Sequence, residues 1–310
     1  MPRESRHVGL TMLMTATLLA ISPILPIARE RSQGPGNRTV YVTAVDGKGA
    51  PVPDLAAPEF AIKEDGKTRP VTHAALSKVP LDVALMIDDS GVGLQSIREG
   101  AAAFVTRLRG LAQIALITTG GRNIKALDFT DSTATQMNAI NKTFARNVTG
   151  AFLTDGILET ATDFAKRESR RPVIVSVGVE GDDFSQARPA DILAALQRSR
   201  TQLYMIRLGR PTIGQSNELT AERGESMLDE HTRFNAILGQ APARTGGRIE
   251  QLASHTGIPN MMEAMAAELA SQYEVTFTSG DLAAADVKLE ISTTRRGVKV
   301  RAPQRLGPAR

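Results

Sequence analysis

The sequence contains no cysteine and no tryptophan, and only three tyrosines and four histidines in 310 residues. The absence of cysteine excludes a disulfide scaffold, thiolate zinc sites, iron–sulfur clusters, a cysteine nucleophile and a lipid-modified N-terminal cysteine. It leaves export open, because a domain with a sufficient core needs no disulfide. Aromatic residues make up 4% of the chain, and 33 acidic residues offset 37 basic ones. Despite a pI near 9.5, no basic stripe carries the aromatics that stack on bases, so nucleic acid is not an expected partner. The histidines, His7, His73, His231 and His255, are scattered, and none stands at metal-ligand spacing from another. No strand is followed by G-x-x-x-x-G-K-[ST] or G-x-G-x-x-G, and H-E-x-x-H and G-x-S-x-G are missing. A phosphate cradle, a metalloprotease helix and a hydrolase nucleophile elbow are therefore unsupported.

The features that are present begin with an export pattern. Arg3 and Arg6 precede a 21-residue uncharged run, Val8 to Ala28. A basic start leading into an apolar stretch reads as an export signal. Ala28 has Pro26 at its −3 position, and a cut after Ser22 would be followed by Pro23, so the cleavage site is irregular. The run also matches the ~20 residues that span a bilayer. Residues 1–28 are accordingly expected to be a signal peptide or an uncleaved N-terminal anchor, with membrane attachment through residues 8–28. The remainder is placed outside the cytoplasm, secreted, periplasmic or anchored. Residues 29–38 form a polar Gly/Pro linker.

Apolar residues make up 42% of the chain, enough for a sizeable core. Residues 39–79 carry short β-branched runs separated by the turns Asp46-Gly47-Lys48-Gly49 and Glu64-Asp65-Gly66-Lys67. They predict a small β-unit that packs on the larger domain after it. From residue 80 the rhythm becomes strand–helix alternation. Val83–Ile87, Ile114–Ile117, Val173–Val177 and Leu203–Ile206 are continuous apolar runs, the mark of strands buried on both faces. Between them, helical spacing recurs from Ile97 to Leu108, around Met137 to Phe144, and over Asp155–Lys166 and Ile192–Leu196. The helix Met262–Leu269 and the strand Tyr273–Phe277 are expected to close this series. The fold class is α/β, a doubly wound and mainly parallel sheet over residues 80–280, with a polar insert at about 209–248. Within that insert Ser226–Leu238 is a candidate short helix. Residues 281–310 read as a C-terminal β-hairpin and tail, with a turn near Arg296-Gly297.

Binding sites in such sheets lie at the carboxyl ends of the strands. There stands Asp88-Asp89-Ser90-Gly91, directly after Ile87. Two carboxylates, a hydroxyl and a glycine suit a hard cation held by oxygen ligands. They equally suit a polar loop that caps the helix beginning near Leu94.

From these residues the chain resembles the von Willebrand factor type A domain, in its secreted bacterial VWFA-related subfamily. The resemblance is carried by Asp46–Gly49, Pro51–Leu55, Phe60–Lys67, Ala84–Gly91, Leu127–Thr130, Leu153–Ile157, Arg171–Val175, Thr245–Gly247, Glu268–Tyr273 and Arg296–Arg301. It covers about residues 38 to 301 and is poorest between 210 and 243. It implies a Rossmann-like sheet and a metal-ion-dependent adhesion site holding a divalent cation, usually Mg²⁺. Carried over, Asp88 and Ser90 match its first two ligands, and Glu180 stands where an aspartate is expected. Val92 and Ala151 stand where two hydroxyl ligands belong, with Thr149 and Thr154 nearby. The site is thus expected to be degenerate, with no cofactor required and Mg²⁺ the one left open. Asp89, Asp182 and Asp183 would then join Asp88 and Glu180 in an acidic rim facing Lys or Arg of a protein or surface-polymer partner. The function expected is an exported, non-catalytic interaction or adhesion module. An Mg²⁺-dependent adhesion receptor, and a hydrolase using Asp88, Asp89 and Glu180, are the alternatives.

Overall fold

The computed structural model describes residues 35–146, 150–179, 183–209 and 239–309. The residues of the export pattern and the candidate helix Ser226–Leu238 lie outside them. No helix among the described residues is long and apolar enough to cross a membrane.

The chain opens with four strands, β1 (Gly36–Val45), β2 (Phe60–Glu64), β3 (Lys67–Arg69) and β4 (Val71–Leu76). The β2–β3 turn places Asp65 at φ 49° and Gly66 at φ 78°, the left-handed pair that a two-residue hairpin of matching twist requires. Strand–helix alternation comes next: β5 (Leu81–Ile87), α1 (Leu94–Arg107), β6 (Ala112–Thr118), β7 (Ile124–Thr130), α2 (Thr133–Lys142) and α3 (Leu153–Lys166). It continues with β8 (Pro172–Val179), α4 (Pro189–Ser199), β9 (Gln202–Leu208), a single helical turn Ala241–Arg244, β10 (Ile249–Leu252) and α5 (Ile258–Ala270). Four strands end the chain: β11 (Tyr273–Ser279), β12 (Val287–Thr293), β13 (Lys299–Arg301) and β14 (Arg305–Leu306).

The central sheet has the order β10-β9-β8-β5-β6-β7, parallel except for the antiparallel edge strand β7. Its strands read as unbroken apolar runs because both faces are covered. Leu81, Val83, Leu85 and Ile87 of β5 pack with Ile97, Phe104, Met262 and Leu269 from α1 and α5. Ala84 and Met86 point the other way, toward Ile157, Phe164, Ile192 and Leu196 of α3 and α4. This is the doubly wound mainly parallel sheet the sequence predicts. From β5 the chain goes one way to β6 and later returns on the other side to β8, so the end of β5 is the topological switch point.

The other strands form two antiparallel sheets, β13-β1-β11-β4 and β14-β12-β2-β3. Val40, Val42, Phe60, Ile62, Tyr273, Val275, Phe277 and Leu289 supply their shared core. Two expectations are corrected here. The strand at Tyr273–Phe277 does not close the parallel series. It pairs antiparallel with β1 over Gly36↔Ser279 to Val42↔Tyr273, and with β4 on its other side. Its residues alternate between buried and half-buried, as a strand with one covered face must. The C-terminal segments Val287–Thr293 and Lys299–Arg301 do not form a hairpin ladder. β12 pairs with β2, and β13 crosses to pair with β1. Strands β7 and β10 have no counterpart in the sequence reading.

Buried polar groups tie these sheets together. Gln272, fully buried, places its Nε2 at 3.0 Å from Thr43 Oγ1, 2.9 Å from Gln202 Oε1 and 3.1 Å from the Tyr204 hydroxyl. Arg171 donates to the carbonyls of Val79 (3.0 Å) and Leu269 (2.7 Å) and to Gln272 Oε1 (2.9 Å). Burial pushes its guanidinium down to about 10. A second network centres on Glu64, which pairs with Arg69 at 2.7 Å and accepts from the Ser279 hydroxyl and the Gly280 amide. Burial raises the Glu64 pKa, but these partners outweigh it and hold it below the ordinary 4.5. A depressed carboxyl pKa contributes stability above 4.5, which disappears as pH falls through the folded value. The gap in unfolding free energy between wild type and Glu64→Gln should therefore narrow below pH 4.5. Urea titrations at pH 7 and at stepwise lower pH check this, and a gap independent of pH would contradict it.

Candidate functional site

The loop after β5 turns on backbone amides. Asp88 Oδ1 accepts from Ser90 N at 2.8 Å, and its Oδ2 accepts from Val179 N at 3.3 Å. The loop does not cap α1. The N-cap is Gly93, at φ 67° and without a side-chain hydrogen bond, and a Cβ there would stand 3.0 Å from His255 Cβ. Asp88 is buried and has no cationic partner among the described residues. The Ser90 hydroxyl beside it is half-exposed.

Asp89 is held differently. Arg146 grips it with two nitrogens, Nε to Oδ2 at 2.5 Å and Nη2 to Oδ1 at 2.9 Å, and its backbone N donates to the Asp89 carbonyl at 2.9 Å. Gly120 N adds a bond to Oδ1 at 2.9 Å, and Arg146 Nη2 also donates to the Thr118 hydroxyl. The pair is largely buried, with side-chain exposures of 4% for Asp89 and 19% for Arg146. A fixed guanidinium therefore neutralises Asp89. No sequence signal links two residues 57 apart, and Arg146 was not among the expected site residues.

Asp183 sits at the start of α3, accepting from Thr154 N at 3.1 Å and from the Ser185 hydroxyl at 2.6 Å. A carboxylate there satisfies an orphan amide and complements the helix dipole. Asp155 does the reverse, accepting from the amides of Gln186 and Ala187 at 3.0 and 2.7 Å. Ala151 bridges Gly120 on one side and Asp183 on the other, so the segment before α3 is stitched across the rim by its backbone. Thr154 is buried in the first turn of α3. Glu180, Asp182 and Thr149 lie outside the described residues.

The described donors for a cation are thus one free carboxylate, Asp88, and one hydroxyl, Ser90. Val92 and Ala151 offer no oxygen, and Asp89 is committed to Arg146. No group of three or more His, Asp or Glu side chains that could hold a metal occurs among the described residues. Magnesium asks for near-octahedral oxygen coordination, and this set does not fit a closed adhesion site. Among its described residues the rim also exposes apolar side chains: Val92 at 52%, Phe144 at 72% and Phe184 at 43%. Phe184 leans on Phe152 with ring centroids 6.2 Å apart. The exposure of Phe144 and Phe184 escaped the sequence reading, and Phe144 stands beyond the end of α2 instead of packing within it.

No protein-family model and no curated protein matches the chain. Solved structures do. Proximal thread matrix protein 1 from the mussel byssus is 14% identical with a TM-score of 0.48, and the match covers 73% of this chain and 50% of that one. Thus the chain spans half the length of the mussel protein, of which one structure has zinc in its MIDAS motif. A von Willebrand factor type A protein from Catenulispora acidiphila is 14% identical with a TM-score of 0.44, covering 91% and 75% of the two chains. BatB from Bacteroides thetaiotaomicron is 15% identical with a TM-score of 0.43, covering 62% and 98%. These likenesses concern the fold alone. The mainly parallel sheet flanked by helices, with Asp88 and Asp89 directly after its β5 strand, agrees with the fold class drawn from the sequence. The chain has the doubly wound, mainly parallel α/β sheet that the sequence resemblance implies. At the rim of this sheet Asp88 and Ser90 follow β5, and Asp89 is held in an internal ion pair with Arg146.

Proposed function

We propose that this chain is an exported, non-catalytic protein-interaction module whose adhesion site is degenerate. The observation that carries this reading is the pairing of Asp89 with Arg146 beside an Asp88 that lacks the hydroxyl partners a cation needs. A rim neutralised from within, and flanked by exposed Val92, Phe144 and Phe184, favours a protein partner held by apolar contact over one bridged through a metal. Residues 1–28 supply export, with or without retention at the membrane.

The test is calorimetric titration of the purified protein with Mg²⁺ and Mn²⁺, alongside Asp88→Ala. The expected result is no saturable heat below about 1 mM, the weak end of extracellular cation sites. Micromolar binding that disappears in Asp88→Ala would replace this reading with a cation-dependent adhesion receptor, which Asp88 and Ser90 favour. A carboxylate hydrolase has less support, because Arg146 occupies both oxygens of Asp89, one of the carboxylates such a mechanism would use.

A further inference from the structure

Away from the rim, the segment joining β12 to β13 opens instead of closing. The β12–β14 ladder runs through Val287↔Leu306 and Lys288↔Arg305, and Leu289 N still donates to the Gln304 carbonyl at 2.9 Å. Beyond that point the chain is pulled away, because Pro303 bridges Thr245 and β13 pairs with β1 on the other sheet. A cavity of about 480 Å³ fills the gap, lined by Leu289, Ile291, Val300, Arg301, Ala302 and Gln304 among others. It adjoins a second, of about 400 Å³, that shares Ala243, Lys288 and Gln304 and adds Arg244 and Arg305.

This seam has an unpaired strand edge. Backbone groups alternate sides along a strand, and Leu289 faces away from β2, toward Gln304. Ile291 and Thr293 therefore present their N–H and C=O on the same side, where no strand of the described residues pairs with them. The surroundings are cationic. Residues 287–310 carry seven Lys and Arg against the single acid Glu290, a net +6 in a chain whose total is +4. Arg244, Arg296 and Lys299 have no acidic partner among the described residues. Lys288, Arg295, Arg301 and Arg305 are matched, by Glu290, Glu59, Glu268 and Asp286.

We infer that this seam binds an extended acidic peptide segment of a partner protein, which adds as a strand along the free edge of β12. Main-chain hydrogen bonds to Ile291 and Thr293 would supply affinity, as in strand addition generally. The apolar floor of Leu289, Ile291 and Val300 takes alternate side chains, and Arg244, which lines the adjoining cavity, selects acidic ones.

The experiment uses the whole chain and two labelled eight-residue peptides, one alternating Val and Glu, the other alternating Val and Lys. Fluorescence anisotropy should show the Glu peptide binding at least tenfold tighter than the Lys peptide. The Arg244→Glu variant, altered at a partly exposed position, should remove at least tenfold of that affinity. Amide hydrogen exchange should slow at Ile291 and Thr293 when the Glu peptide is bound. Equal binding of both peptides would overturn the inference. So would binding of polyglutamate or of the Glu peptide with no protection along β12, which would mark a diffuse polyanion surface.

Discussion

Alanine at Asp89 is expected to lower the unfolding free energy by about 3–5 kcal/mol, the cost typical of stranding one partner of a buried ion pair. The effect is large because a single carboxylate gathers three segments. It holds the Arg146 guanidinium from the segment after α2, the Gly120 amide after β6, and its own loop after β5. With the carboxylate gone, Arg146 keeps only the Thr118 hydroxyl and the Arg122 carbonyl. The guanidinium must then find water or stay buried and unpaired. Urea unfolding of Asp89→Ala measures the loss, and the double variant Asp89→Ala/Arg146→Met should recover part of it, since the stranded charge is removed too. A loss below about 1 kcal/mol in the single variant, the range of exposed pairs, would mean that the pair is solvated and the rim is not neutralised from within.

The second large effect is expected at Arg171. Its side chain reaches three acceptors, the carbonyls of Val79 and Leu269 and the Gln272 amide oxygen, and its guanidinium lies 5.0 Å from the centroid of the Tyr41 ring. Arg171→Ala leaves these acceptors buried without donors, at about 1–3 kcal/mol each. The sum is about 4 kcal/mol or more, unless water enters the space. Because Arg171 immediately precedes β8 while Gln272 leads into β11, the variant should also loosen the antiparallel strands against the central sheet. Near-ultraviolet circular dichroism and the urea midpoint would report both changes. Wild-type stability in Arg171→Ala would show that the network fills space without holding the sheets together.

The central sheet was legible because its strands obey one rule throughout. Val83–Ile87 and Val173–Val177 are apolar at every or nearly every position, which only a strand covered on both faces sustains. β7 was missed because Ile124–Thr130 is an edge strand with mixed exposure, and β10 because four residues carry too little pattern. β11 was assigned to the wrong sheet even though Tyr273, Val275, Phe277 and Ser279 alternate cleanly with half-buried residues. Its position after a helix suggested another parallel crossover, and the alternation was the better guide. At the rim, Asp88 and Ser90 were legible from their place after a buried strand. The roles of Asp89 and Asp183 were not, since both depend on partners brought together by the fold: an arginine 57 residues away and the first turn of α3.

The pairing of β1 with β11 has a consequence for the order in which the molecule can form. Arg38 meets Ser279 across 241 residues, so the first described strand waits for one near the end of the chain. Contacts this distant in sequence are slow to close, because the loop entropy is spent before they return anything. The central sheet, which draws on residues 81–252 alone, can assemble while the terminal strands are still unpaired. A chain emerging from its N-terminus therefore carries β1 as an open strand until residues beyond Tyr273 have been made. A chain cut short before β11 would leave β1 exposed to pairing with its neighbours.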